Sequence, residues 1–288
     1  MKARLLGSQP PIMVGVVALA YIAAAELGFS LAFATKQVTA VWPPTGIAVA
    51  ALLRFGARVW LGIFLGAFAA NALSEEPLLT AAMIAVGNTL GPLLGSLLLR
   101  GTGFQSGFQR PADIARLVVF GAALPMCVTA TNGVLALVAA GIVPRAAASS
   151  VWWVWWAGDT LGVLLFTPLV LAWAEDRRLR WSGAKALELV FATVTVLAAT
   201  IATFRFDLLM IYAVFPPLAW IVLRFGPRES ATAAVLISVI SIWNTAHDYG
   251  PFKTGSLDHR LIMLMTLMVV LATTTLLLRA VRARAIVS

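Results

Sequence analysis

Long apolar runs recur along the whole 288-residue chain and are separated by short polar or charged segments. Runs of about 20 apolar residues are long enough to cross a bilayer core of roughly 30 Å as helices. No stretch between them is long enough to bury a core of its own. The pattern predicts an all-α, polytopic transmembrane helix bundle with about ten spans: 11–35, 38–53, 59–74, 78–99, 116–141, 150–174, 186–204, 208–223, 230–246 and 261–278.

Two of these segments are short and carry a proline pair, Pro43-Pro44 in one and Pro216-Pro217 in the other. An alternative with eight spans therefore stays open, in which both segments dip into the membrane and return to the same side. Re-entry would draw two arginines of the segment into the apolar layer, at about 2.5–3.5 kcal/mol each on insertion scales. The sequence favours ten spans over eight.

Composition agrees with a membrane protein and excludes other classes. Hydrophobic residues make up 61% of the chain and charged residues 11%, whereas a soluble domain has about 25% charged residues. The net charge of +9 does not indicate nucleic-acid binding, because the basic residues lie in the short loops between apolar runs. We therefore expect no nucleic-acid partner.

The basic residues also predict the orientation of the chain. With the first residue inside, 16 of the 21 lysines and arginines would face the cytoplasm, which is the asymmetry of the positive-inside rule. This predicts a multi-pass protein of the inner membrane with both termini cytoplasmic. The five expected outside are Lys36, Arg145, Arg205, Lys253 and Arg260.

One internal similarity suggests a duplication. WPPTGIAVAALLRFGAR (42–58) and FPPLAWIVLRFGPR (215–228) both run from a proline pair to an Arg-Phe-Gly turn. Both point the same way, so they would form a parallel repeat. The alternative is that the proline and the glycine are ordinary signals for the start and the end of a helix, without a duplication.

Polar side chains at membrane depth are functional candidates because burying them is costly. In VWWVWWAGDTLG (151–162), the spacing places Trp152, Trp155 and Trp156 on the same helix face as Asp159. A carboxylate surrounded by indoles suits an amine or another cation, although tryptophan also gathers at the membrane interface. The predicted ligand-binding residues are two carboxylates, three tryptophans, two prolines and two amides near the periplasmic side: Glu26, Asp159, Trp42, Trp155, Trp156, Pro43, Pro44, Asn71 and Asn132.

Catalytic and metal-binding patterns are missing from the sequence. It has no GxSxG, HExxH or Walker sequence, and a single cysteine, Cys127, allows no intrachain disulfide. None of the four lysines lies inside a predicted span, which leaves no attachment point for retinal. We therefore predict no enzyme activity, no metal and no cofactor.

Two stretches carry a resemblance to a known family, AVWPPTGIAVAALLRFGARVWLGIFLGAFAANAL (40–73) and WWVWWAGDTLGVLLFTPLVLAW (152–173). In order and separation they resemble the two hallmark stretches of the membrane-associated sensor domain MASE, first type. The resemblance covers most of the chain. The matching residues are Trp42, Pro43, Pro44, Gly46, Gly66, Asn71, Trp156, Gly158, Asp159 and Gly162.

The resemblance implies a bacterial integral membrane sensory domain. Such domains usually precede cytoplasmic histidine kinase modules of two-component systems, or modules of cyclic-di-GMP signalling. We expect residues 1–288 to form one such domain, without a soluble output domain. It would bind a small ligand or membrane signal from the periplasmic side and relay it through its last helix, which leads into RAVRARAIVS (279–288), to an output module or a partner protein.

The main alternative is a small-molecule transporter, or the substrate-binding subunit of one, because parallel repeats and proline-broken helices suit that class too. A transporter needs a polar path through the inner half of the membrane, and that half has few polar residues here. The expected partners are membrane lipid, an unknown small ligand and a cytoplasmic signalling module. Glycines four residues apart, at 87, 91 and 95, indicate close helix packing within the chain or in a homodimer.

Overall fold

The computed structural model describes residues 11–31, 39–74, 76–175, 182–208 and 210–287. In these ranges the regular elements are helices, which confirms the all-α prediction. They are α1 (Pro11–Ser30), α2 (Pro43–Phe55), α3 (Trp60–Leu73), α4 (Leu78–Gly101), α5 (Pro111–Arg116), α6 (Leu124–Ala139), α7 (Ala148–Ala174), α8 (Gly183–Phe204), α9 (Phe215–Arg224), α10 (Pro227–Ala246) and α11 (Leu257–Val287).

Short helical turns extend several of these helices. A π-helix at Leu117–Ala123 joins α5 to α6, and 3₁₀ turns at Ala57–Val59, Arg145–Ala147 and Ile211–Val214 lead into α3, α7 and α9. Counted with these turns, the described residues form ten helical segments, one for each predicted apolar run. The predicted residues 32–35 and 38 of the first two runs lie outside the described ranges.

Six helical segments are long and apolar enough to cross a membrane, and three further apolar ones are shorter. The chain is therefore a multi-pass helical membrane protein. The six are Pro11–Ser30, Leu78–Gly101, Pro111–Ala139, Arg145–Ala174, Gly183–Phe204 and Leu257–Ala285, and the shorter three are Pro43–Phe55, Ala57–Leu73 and Ile211–Arg224.

The chain divides into two compact units. Unit 1 comprises residues 1–104 and 116–167, and unit 2 comprises residues 105–115 and 168–288. Within unit 1, α4 packs against α3 and α6, and α1 packs against α2 and α3. Within unit 2, α10 packs against α8, α9 and α11. Most helices of each unit are thus neighbours in the chain, whereas residues 105–115 are separated in sequence from the rest of unit 2.

The core of unit 1 lies between α1, α2, α3 and α4. Val17, Tyr21 and Gly28 are buried at helical spacing along one face of α1. Tyr21 is fully buried and packs in one cluster with Leu52 of α2 and Ile63 of α3. A single face of α1 therefore packs against both α2 and α3.

The glycines of α4 pack against α6 and the π-helix before it within unit 1. A Cβ on Gly87 would lie 2.6 Å from the side-chain amide of Asn132, and a Cβ on Gly95 would lie 2.9 Å from the Gly121 carbonyl oxygen. Such contacts leave no room for a larger side chain. The glycine spacing thus serves packing inside one chain, and a homodimer stays a prediction.

An arginine at the end of one helix binds the last carbonyls of another in each unit. Arg100 at the end of α4 donates through Nη2 to the carbonyls of Leu52 (2.7 Å) and Leu53 (2.8 Å) in α2. Arg282 on α11 donates through Nη1 to the carbonyl of Val222 in α9, at 3.0 Å. The carbonyl of Leu52 also accepts from the backbone N–H of Gly56, at 2.8 Å, and the arginine adds a charged donor that stabilises the helix end.

We expect Arg100→Gln to lower the free energy of unfolding by about 1–2 kcal/mol, because two helix-end carbonyls lose a charged donor. Thermal unfolding of the detergent-purified chain measures this loss. Arg54→Gln is the matched control, since Arg54 is exposed at the same end of α2. Equal losses of unfolding free energy in the two variants would show that the positive charge at this helix end, and not the hydrogen bonds of Arg100, stabilises the protein.

Candidate functional site

In unit 1, α2 and the first part of α7 cross in direct backbone contact. The backbone N–H of Trp42 donates to the carbonyl of Gly158 at 2.9 Å, and the Thr167 hydroxyl donates to the carbonyl of Gly46 at 2.9 Å. A Cβ on Gly162 would overlap the carbonyl group of Trp42. The absence of side chains on these glycines therefore lets the two backbones meet.

Asp159 lies at this crossing and is fully buried, at 0% exposure. Thr45 of α2 donates to its Oδ1 at 2.5 Å, and Thr129 of α6 donates to its Oδ2. The carboxyl group thus links α7 to α2 and α6, as expected of a buried carboxyl group that needs partners.

A cavity opens beside this network, at the end of unit 1 where α1, α3 and α6 end and α2, α4 and α7 begin. Its empty volume, including the open mouth, is about 570 Å³. Half of the lining residues are apolar or aromatic and half are polar. They are Phe29, Thr39, Trp42, Asn71, Ser74, Glu76, Ile84, Asn88, Leu137 and Trp155.

Three of the polar side chains in this lining already donate hydrogen bonds within the protein. Asn71 Nδ2 and Ser74 Oγ each donate to the carbonyl four residues earlier in α3, at 2.8 and 2.9 Å. Asn88 Nδ2 donates to the hydroxyl of Tyr21 at 3.1 Å. Asn88 is only 2% exposed, and its Oδ1 has no hydrogen-bond partner among the described residues.

The structure places three of the predicted ligand-binding residues in the lining of this cavity: Trp42, Asn71 and Trp155. Pro43 and Pro44 are buried in the first turn of α2, where proline is favoured because the first N–H groups of a helix have no partner inside it. The two prolines therefore start the helix that carries Trp42 to the cavity.

The other predicted residues lie away from the described lining. Asn132 Nδ2 donates to the carbonyl of Met83 at 2.5 Å, between α6 and α4. Trp156 donates to the Ala123 carbonyl at 2.7 Å. Glu26 is exposed on α1. Their roles in ligand binding stay predictions, as does that of Asp159.

Sequence reasoning did not select Asn88 or Glu76 for the site, although both line the cavity. Asn88 is a polar residue in the middle of a predicted span, one turn after Ile84 on the same helix face, and that position was a usable signal. Glu76 follows α3 in a connecting segment, where a carboxylate is indistinguishable in sequence from a solvated loop charge. In the described part of the chain, no group of three or more His, Cys, Asp or Glu side chains could hold a metal ion.

Comparison with known proteins identifies the family. The MASE1 family model matches residues 13–285. Searches of curated proteins and of solved structures found no match. The matched range contains the crossing of α2 and α7 and every residue that lines the cavity. The chain therefore belongs to the MASE1 family of membrane sensory domains.

Proposed function

We propose that this chain is the signal-input domain of a bacterial inner-membrane sensory system and that the cavity of unit 1 receives a small ligand. The unpartnered Oδ1 of the buried Asn88 is the observation that carries the proposal. A buried polar atom without a partner costs about 1–3 kcal/mol. A ligand that donates a hydrogen bond to this atom would remove the cost and explain why the residue is polar.

We place the cavity on the periplasmic side. It lies at the start of α2 and in the first half of α4, whereas Arg54 and Arg100 lie at the opposite ends of the same helices. Basic residues favour the cytoplasmic side of a membrane. The same rule supports ten spans with both termini in the cytoplasm.

We also propose that the two Pro-Pro to Arg-Phe-Gly stretches are a parallel repeat. When they are aligned on Arg-Phe-Gly, Leu52 of α2 corresponds to Val222 of α9. The carbonyls of these two residues accept hydrogen bonds from Arg100 and Arg282, near the C-terminal ends of α4 and α11. A proline at the start of a helix and a glycine after its end do not require such an arginine contact, so the recurrence of the contact supports duplication.

The relay would run through α11 to a histidine kinase or a cyclic-di-GMP output module, with the chain acting as one sensory domain. At 31 residues, α11 is about 46 Å long, which exceeds a bilayer core of roughly 30 Å. The helix can therefore extend from the membrane into the aqueous phase. A signal requires that the ligand bind one of two helix arrangements more tightly than the other.

Native mass spectrometry of the detergent-purified chain tests the cavity. We expect the wild type to retain a small molecule and Ser74→Trp to lose it, because the indole would fill the cavity beside Asn71. Ser150→Trp is the matched control, since Ser150 is exposed at the start of α7. No retained molecule in the wild type, or equal retention in both variants, would refute the cavity as the ligand site. Accumulation of the retained molecule in proteoliposomes would instead identify a transporter.

A further inference from the structure

We infer that an anionic phospholipid binds through its phosphate group at the end of unit 2 where α8 begins and where α9 and α11 end. This site is separate from the cavity of unit 1 and goes beyond the proposed function. The inference follows from a cleft into which three helices bring basic side chains, and from the apolar surface that α8 exposes beside the cleft.

The cleft gathers charged side chains that are far apart in the sequence. Its empty volume, including the open mouth, is about 750 Å³. Lys185 comes from the first turn of α8, Arg224 from the last turn of α9 and Arg282 from α11. Glu188 of α8 is the one carboxylate among the described lining residues. Three basic side chains and one acidic side chain give the cleft a net positive charge.

The carboxylate of Glu188 is already paired with one of the arginines. Arg224 donates to it through Nε at 2.7 Å and through Nη2 at 3.0 Å, and the indole of Trp220 donates at 3.2 Å. A carboxylate and a guanidinium joined by two hydrogen bonds balance each other's charge. The positive charges of Lys185 and Arg282 are therefore in excess among the described residues of the cleft.

Arg282 is held at the cleft by partners that have no net charge. Its Nη1 donates to the carbonyl of Val222 at 3.0 Å and to the carbonyl of Phe225, both at the end of α9. These bonds orient the guanidinium without cancelling its charge. An oriented guanidinium is well suited to a phosphate group, which it can bind through two parallel N–H groups.

The segment before α8 has a charge of the same sign. Residues 176–181 lie outside the described ranges, and their sequence, DRRLRW, contains three arginines and one aspartate. The segment is therefore basic whatever its conformation. An anion at the cleft would meet positive charge from the described residues and from the adjoining sequence.

The exposed surface of α8 indicates that the anion belongs to a lipid. This helix is long and apolar enough to cross a membrane, and in the two turns after Lys185 its exposed residues are Leu187, Val190 and Phe191. Exposed apolar side chains of a spanning helix face acyl chains, so Lys185 lies where the acyl region meets the head groups. Basic pockets between spanning helices bind the head groups of anionic lipids.

Native mass spectrometry of the detergent-purified chain tests the site with two lipids that share their acyl chains, dioleoyl phosphatidylglycerol and dioleoyl phosphatidylcholine. A basic side chain near the membrane surface contributes about 1 kcal/mol to the binding of an anionic lipid, which is about fivefold in affinity. With two charges in excess, we expect the first phosphatidylglycerol to bind about twentyfold more tightly than the first phosphatidylcholine. Millimolar glycerol phosphate, which has the phosphate but no acyl chain, should not displace the lipid.

Two variants make the test specific to the cleft. Lys185→Gln should fold, because Lys185 is exposed, and should weaken phosphatidylglycerol binding about fivefold without changing phosphatidylcholine binding. Arg284→Gln is the matched control. It removes the same charge from an exposed position on α11, two residues after Arg282, that is not among the described lining residues. It should bind phosphatidylglycerol as the wild type does.

Equal affinity for the two lipids, or unchanged phosphatidylglycerol binding by Lys185→Gln, would overturn the inference. Equal losses in Lys185→Gln and Arg284→Gln would also overturn it, because they would show a general attraction to basic surface. Displacement by glycerol phosphate would replace the lipid with a soluble phosphate as the ligand. The proposed function is decided separately in unit 1, and Ser74→Trp should bind phosphatidylglycerol as the wild type does.

Discussion

Gly162→Ala is expected to lower the free energy of unfolding by about 3 kcal/mol, which is the upper part of the usual range for overpacking. The added methyl group would overlap the carbonyl of Trp42 and lie 2.8 Å from its carbon. A backbone group cannot change rotamer to make room, so α2 and α7 would have to separate. Separation would break the hydrogen bond from Trp42 to the Gly158 carbonyl.

Gly15→Ala is the matched control for this prediction. Gly15 is also inside a helix, α1, but a Cβ there would meet no atom within 4 Å. Alanine is more favourable than glycine in a helix by about 0.5–1 kcal/mol, so this variant should be as stable as the wild type or more so. Thermal unfolding of both variants in detergent measures the difference. A Gly162→Ala protein as stable as Gly15→Ala would show that α2 and α7 do not meet at Gly162.

The positions of the helices could be predicted because a membrane span has to be continuous and apolar. Their ends could not, since hydropathy reports where the bilayer ends rather than where a helix ends. The predicted last span, 261–278, is part of α11, which continues to Val287 through a segment that contains three arginines. The predicted second span began at 38, whereas α2 begins at Pro43, because proline favours the first turn of a helix.

The sequence predicted how far along each helix the site residues lie, but not which side of the helix they face. Glu26 and Trp42 lie near the same end of unit 1, yet Glu26 is on the exposed face of α1 and Trp42 lines the cavity. Residue spacing within a helix identifies a shared face. It does not tell which neighbouring helix covers that face, and this depends on contacts between distant parts of the chain.

The limit of spacing within one helix also explains why Trp155 and Trp156 of α7 differ in their positions relative to the cavity. The spacing predicted Trp155 and Asp159 on one side of the helix; in the structure Trp155 lines the cavity, and Asp159 accepts hydrogen bonds from threonines of α2 and α6. It also grouped Trp156 with them, but the Trp156 indole donates to the carbonyl of Ala123 in the π-helix before α6. The division into two units was not predicted either, and whether they act as one domain stays a prediction.

Asp159→Leu is expected to lower the free energy of unfolding by about 2–3 kcal/mol, because hydrogen bonds between membrane helices are worth up to about 1.7 kcal/mol each and two would be lost. Leucine has a similar size but no acceptor, so Thr45 would keep a buried hydroxyl group without its partner. Thr129 would lose less, since its hydroxyl also lies 2.8 Å from the carbonyl of Met126.

Asp159→Asn separates this structural role from a role in ligand binding. An amide keeps the shape of the side chain and one acceptor oxygen, and a threonine hydroxyl can accept from its NH₂ group. The variant should therefore unfold within about 1 kcal/mol of the wild type, as isosteric replacements that keep hydrogen bonds do. Equal destabilisation by leucine and asparagine would show that the buried charge matters more than the hydrogen bonds.

If Asp159 also polarises the cavity, the folded asparagine variant should lose the small molecule that the wild type retains in native mass spectrometry. Retention in a stable Asp159→Asn protein would instead leave Asp159 as the residue that joins α2, α6 and α7. The ligand would then depend on Trp42, Asn88 and Glu76, which line the cavity itself.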